Sequence, residues 1–327
     1  MSMRPLPIPT ALVVETAGLS KSYGSVQALK SLDLKVARHS IFALLGPNGA
    51  GKTTTLKLLL GLIRPTAGSA HINGLDIVRN GLEARRHIGY LAQNPRFYEQ
   101  LTAREMLRFR AGFFYHGPRA QVEAHLNETL ALVGLTDKAN RPIKGFSGGE
   151  MQRLGIGLAQ INNPELLILD EPAANLDPQG RRDVLNVMAQ LRERATILYC
   201  THILDDVQQV SDTVAILNQG ELVAQMPLSE LLQSREGNSY ILVLSGETQP
   251  VQARLAALPW VSSIQVLPSA EHTTWRVIVS DDAAAQADLL RQVLADPQVN
   301  VLDFGQQKRE LEDVFLRLVE RGVNEPL

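Results

Sequence analysis

The stretch "GPNGAGKTT" has the spacing G-x-x-x-x-G-K-[ST], with the apolar run "SIFALL" before it and the helix-like "TTLKLLLGL" after it. Its members are Gly46, Pro47, Asn48, Gly49, Ala50, Gly51, Lys52, Thr53 and Thr54. Bare backbone N–H groups in such a loop close round a phosphate, the Lys52 ammonium reaches the β and γ oxygens, and the Thr53 hydroxyl ligates Mg²⁺. A second run, "LLILDEP", sets Asp170 and Glu171 at the end of an apolar strand where packing has no use for them. Asp170 is placed to hold Mg²⁺ and Glu171 to polarise the water that attacks a γ-phosphate. The plainer reading is that Glu171 pairs with a nearby base or caps a helix. His202 follows another buried-looking strand, "ATILYCT", and Gln93 follows "GYLA"; the amide of Gln93 suits contact with both Mg²⁺ and water. Each residue alone also reads as an ordinary core or loop residue. Ligands of an open α/β sheet lie beyond the carboxyl ends of its strands, and Gly46, Asp170 and His202 all fall there.

"GFSGGEMQR", Gly145 to Arg153, begins a helix with two glycines. Ser147 and Glu150 have the spacing of a capping box. Gly148 and Gly149 are left over, each costing roughly 0.5–1 kcal/mol against alanine in a helix. An uncluttered helix N-terminus suits an anion, because free N–H groups and the helix dipole both point at it.

The elements that must position these residues are short. "SIFALLG", "LLILDEP" and "ATILYCTH" are apolar without alternation, as strands covered on both faces are. Between them, from about residue 95 to 160, the period is mostly helical, which predicts a helical insert in a sheet domain spanning residues 11–232. Residues 1–10, with three prolines, read as a loose tail. After a linker-like "QSREGNS", residues 237–327 spell β-α-β-β-α-β, the order of a small α+β ferredoxin-like sandwich.

Composition narrows the function class. With 32 Lys and Arg against 34 Asp and Glu, the net charge of -2 gives no electrostatic footprint for nucleic acid. The single cysteine, Cys200, excludes an internal disulfide framework and reads as a packed thiol in a reducing compartment. No apolar run reaches the roughly 18–20 residues of a membrane helix, and "MSMRPLPIPT" has too little apolar length for a signal peptide. The expected location is the cytoplasm.

Tyr23 in "KSYG", the phosphate loop, Gln93, "FSGGE", "LLILDEP", "NLDP" and His202 follow one another in an order that resembles the ATP-binding subunit of ABC transporters, over about residues 11 to 230. "SGGE" shortly upstream of "LLILDEP" marks that family among phosphate-loop ATPases. The resemblance implies ATP and Mg²⁺ as cofactors, and two subunits that sandwich two ATP molecules. It implies that Tyr23 stacks on adenine, that Lys52, Thr53 and Thr54 hold phosphates and Mg²⁺, and that Gln93 links nucleotide to membrane subunits. Glu171 becomes the general base, His202 a contact of the γ-phosphate, and Asp177 a residue of the dimer seam. Ser147, Gly148 and Gly149 complete the partner's site, so the anion is the partner's ATP. The implied partners are a second ATPase subunit, expected to be a second copy, and an integral membrane permease, which places the chain on the cytoplasmic face of the cell membrane. Two stretches depart from the family pattern: Phe146 and Glu150 stand where leucine and glutamine are usual, and "AAN" precedes Leu176 and Asp177 where a serine or threonine is common.

The closing "RELEDVFLRLVE" resembles the tail of ATPase subunits in a bacterial exporter group that handles drugs, antibiotics, polysaccharides and copper maturation. Its plainer reading is an amphipathic terminal helix docked on its own domain. Two other classes stay open: a soluble ABC ATPase that remodels ribosomes or DNA, and a regulatory switch in which residues 237–327 sense a small molecule.

Overall fold

The computed structural model describes residues 11–232, 238–268, 272–307, 311, 312, 315 and 318. The tail at 1–10, residues 233–237 of the linker and most of "RELEDVFLRLVE" lie outside the described residues. The described residues divide into two compact units, with the chain passing from the first to the second after Leu228.

The first unit runs β1 (Leu12–Tyr23), β2 (Val26–Leu32), β3 (Lys35–Ala37), β4 (Ile41–Leu45), α1 (Lys52–Leu59), β5 (Ala67–Ile72), β6 (Leu75–Asp76), α2 (Gly81–Arg86) and β7 (Ile88–Leu91). It continues with α3 (Ala103–Ala111), α4 (Arg119–Leu132), α5 (Gly148–Gln160), β8 (Leu166–Asp170), α6 (Pro178–Leu191), β9 (Thr196–Thr201), α7 (Leu204–Val210), β10 (Thr213–Asn218) and β11 (Glu221–Pro227); the short α8 (Leu228–Leu232) then carries the chain into the second unit. Every residue of β4, β8 and β9 is buried. The absence of alternation in their sequences has this cause: helices cover one face of the sheet and the antiparallel layer covers part of the other.

The main sheet has the order β11-β10-β4-β9-β8-β7, parallel except for the edge strand β11. Pairing of Leu45 with Thr201 and of Asp170 with Cys200 brings the carboxyl ends of β4, β8 and β9 level with one another. A second layer, β2-β1-β5-β6 with β3 beside β1, is antiparallel. The core between the layers contains Val14, Leu19, Phe42, Leu44, Leu56, Ile168, Leu198 and Cys200. Burial pushes the Cys200 thiol well up, so it stays a protonated, packed side chain. α3, α4 and α5 occupy the chain between β7 and β8, and α3 opens on a capping box formed by Thr102 and Glu105.

The second unit runs β12 (Asn238–Gly246), α9 (Gln249–Ala256), β13 (Val261–Pro268), β14 (Thr273–Val279), α10 (Asp282–Leu294) and β15 (Val299–Gln307). Its sheet is antiparallel in the order β13-β14-β12-β15, the arrangement of a ferredoxin-like sandwich. Alternate residues of β12 and β14, Tyr240, Leu242, Leu244, Trp275, Val277 and Val279, pack with Val251 and Leu255 of α9 and Leu289 and Val293 of α10.

Candidate nucleotide site

The phosphate loop bridges β4 and α1. Gly46 has to be glycine because a Cβ there would lie 2.3 Å from the carbonyl oxygen of Leu217. Gly51, the residue before α1, has φ +106°, a conformation that side chains resist. Pro47, Asn48 and Gly49 at the tip are exposed while Gly46 and Ala50 are buried. The Lys52 side chain folds under this arch and donates to the carbonyls of Gly46 at 2.6 Å and Pro47 at 3.2 Å. Its ammonium also lies 3.9 Å from Glu171 Oε1. Thr53, in the first turn of α1, is exposed and Thr54 is half-buried.

Asp170 ends β8 and is 5 % exposed; burial, and then the neighbouring Glu171 charge, push its carboxyl above the usual range. Glu171 is 6 % exposed and has φ +50°, a costly conformation for a residue with a side chain, held by its N–H donating to the carbonyl of Cys200 at 3.0 Å. His202, just past β9, sets Nδ1 at 3.0 Å from both carboxylate oxygens of Glu171. The plainer reading of Glu171, a carboxylate paired with a base, therefore describes part of what it does. Lys52, Asp170, Glu171 and His202 form one cluster beyond the carboxyl ends of adjacent strands.

Gln93, exposed beyond β7, accepts at its main-chain oxygen from Gln152 Nε2 of α5 at 3.3 Å. Tyr23 ends β1, half exposed, with the Lys21 ammonium 5.1 Å from its ring centroid. Ser147 caps α5 with both halves of the capping box in place: Ser147 Oγ accepts from the Glu150 N–H, and Glu150 Oε2 accepts from the Ser147 N–H. Asp177 caps α6, its Oδ1 accepting from the Gly180 N–H at 3.3 Å. No described hydrogen bond joins Ser147, Gly148, Gly149 or Asp177 to the phosphate loop.

The two glycines that open α5 have different causes. Gly149 is buried, and a Cβ on it would sit 3.0 Å from Gly180 Cα, so α5 and α6 keep this close approach because it is bare. Anion binding is not needed to explain it. Gly148 is exposed, and a Cβ there would meet only the tip of Leu176 at 3.3 Å. The unexplained bare backbone narrows to Gly148, beside the capping residue Ser147.

Two ionic contacts were not legible in the sequence. Lys138 donates to Glu150 Oε1. Arg181, in the first turn of α6, binds the buried Asp206 of α7, whose carboxyl is pushed up by burial against the pull of that guanidinium. Lys138 lies twelve residues before its partner and carries no signal. A cation in the first turn of a helix is a weak one, since that position favours anions.

A phosphate loop at the head of a central parallel strand, with paired carboxylates at the end of a nearby one, defines a P-loop NTPase. The ABC transporter family matches this chain over residues 29–174. The ABC transporter ATP-binding protein YxlF of Bacillus subtilis is 38% identical over 304 residues, covering 92% of this chain and 97% of the relative. The bacitracin transport ATP-binding protein BcrA of Bacillus licheniformis is 34% identical, covering 95% of this chain and 98% of its own. Among solved structures, the dimeric ATP-binding cassette MJ0796 in a post-hydrolysis state with ADP and Pi superposes with a TM-score of 0.60 at 26% identity, over 66% of this chain and 98% of that one. The chain belongs to the ABC transporter ATP-binding proteins and is an ATP-hydrolysing subunit.

Proposed function

We propose that this chain is the motor subunit of an exporter: two copies close on two ATP molecules and drive a separate integral membrane permease from the cytoplasmic face of the cell membrane. The observation that carries this reading is the exposed N-terminus of α5 at Ser147 and Gly148: the capping box accounts for Ser147, and no close neighbour among the described residues requires Gly148 to be bare. The likeness to a bacitracin transport protein supports a role in transport. No helix among the described residues is long and apolar enough to cross a membrane, and the reading assigns the crossing to the permease.

Mg²⁺ and ATP fit the donor set. Thr53 offers a hydroxyl, and Asp170 offers a carboxylate whose charge, next to that of Glu171, needs a cation. Bound there, Mg²⁺ neutralises charge on the phosphate oxygens. Lys52 exchanges the Gly46 and Pro47 carbonyls for β and γ oxygens, Tyr23 offers its ring to adenine, and Gln93 couples the nucleotide to the helical segment through its link to Gln152. Glu171 takes the proton of the attacking water. His202 holds that carboxylate through Nδ1 and keeps its second nitrogen for the γ-phosphate. Asp177, exposed at the start of α6, belongs to the seam between copies.

A surface for the permease lies in the same segment. Tyr98, Phe109 and Phe113 stack edge to face, at 6.1 Å and 5.3 Å between centroids, and all three are exposed. Exposed aromatics in a row are unusual on a surface without a partner. The test is to purify the tagged chain from detergent-solubilised membranes of its host and identify what accompanies it. A stoichiometric polytopic membrane protein is expected, and Phe109→Ser combined with Phe113→Ser is expected to lower its recovery about tenfold or more. Recovery with ribosomes or nucleic acid alone would overturn the reading.

A further inference from the structure

Glu150 puts a carboxylate in the first turn of α5, within one turn of Ser147 and Gly148. A negative charge there opposes an incoming phosphate. Glu150 is 7 % exposed, and its two oxygens are committed in different directions. Oε2 accepts from the Ser147 N–H at 3.0 Å, and Oε1 accepts from the Lys138 ammonium. Burial alone would raise this carboxyl, but Lys138 and the Ser147 N–H, with the field of Arg141, leave it below the usual range, so Glu150 is ionised. Lys138 is itself half-buried, and a single carboxylate separates its ammonium from the Ser147 N–H.

We infer that Lys138 is the counter-ion that keeps the Ser147–Gly148 end of α5 receptive to the phosphates of the ATP held by the partner copy. It acts through Glu150, as a positioning and charge-setting residue for that nucleotide. The inference rests on the reading of Ser147 and Gly148 as a site for the partner's ATP. A purely structural ion pair would tie the turn at Lys138 to α5 and affect stability alone. Charge compensation instead fixes the sign of each variant's effect on ATP. Lys138→Met leaves the site one charge more negative, Glu150→Gln leaves it one more positive while keeping an oxygen for the Ser147 N–H, and the double variant restores the balance.

The experiment uses the full chain with Glu171→Gln, so that ATP is not consumed, and measures by light scattering the ATP concentration that half-saturates dimer formation. Lys138→Met is expected to raise that concentration about two- to fivefold, Glu150→Gln to lower it by a similar factor, and the double variant to return it to the starting value. The shifts should shrink at high salt, because screening weakens exposed charges. A rise with Glu150→Gln, no change with Lys138→Met, or shifts that ignore salt would overturn the inference. If the chain with Glu171→Gln alone fails to dimerise on ATP, the partner-site reading falls first and the inference with it. The double variant guards against misfolding of Lys138→Met, since it removes the uncompensated buried charge.

Discussion

Glu171→Gln is expected to stop ATP turnover, lowering the rate constant by about 10²–10⁴-fold, the usual contribution of a positioned general base. Glutamine keeps the size of the side chain and an oxygen for His202 Nδ1, so the strained backbone at φ +50° and the local packing survive. It cannot accept a proton from water. ATP binding is expected to persist, because the Lys52 interactions that matter for phosphate do not run through Glu171. The change also removes the like charge that helps hold the Asp170 carboxyl up, so Asp170 stays ionised to a lower pH than before. Binding measured with a fluorescent ATP analogue should match the native chain, while phosphate release falls to background. Phosphate release above about a tenth of the native rate would remove Glu171 from the role of general base.

The same cluster shows what the sequence could and could not display. Gly46 to Thr54, Asp170, Glu171 and His202 were legible because each sits at the end of an apolar run, and the parallel sheet then places such ends together whatever the intervening chain does. The β-α-β-β-α-β order of the second unit was legible for a similar reason, since the period switches with each element. The pairing of His202 with both oxygens of Glu171 was not, because it depends on where a side chain points after two strands have met. Nor was the antiparallel layer of β1, β2, β5 and β6, whose bulged registers bring Ser20 to Ala67 and leave no local pattern. Gly149 is the instructive case. Its residue type signalled that something comes close, and chemistry suggested an anion. The close neighbour is Gly180, on a helix thirty-one positions further along the chain.

That distinction permits a test of the shared site that separates folding from function. Lys52→Ala removes the charge that reaches the phosphates and is expected to lower turnover about 10²–10³-fold. Gly148→Asp should do the same from the other side, because a carboxylate would occupy the N–H groups meant for phosphate. Its fold should be unharmed. The added Cβ meets only Leu176, and an anion in the first turn of a helix is favourable by roughly 0.3–1 kcal/mol, so the melting temperature should hold or rise. Gly149→Ala, by contrast, drives a Cβ against Gly180 and should lower the melting temperature. The decisive step is to mix the two inactive proteins, Lys52→Ala and Gly148→Asp. In a mixed dimer one site inherits both defects, and the other pairs an intact phosphate loop with an intact Ser147–Gly148 end. Random mixing then restores about one quarter of the native sites, and activity should reappear on mixing if the sites work independently. If each site were completed within its own chain, every site in the mixture would still carry a defect, and the mixture would stay as inactive as its components.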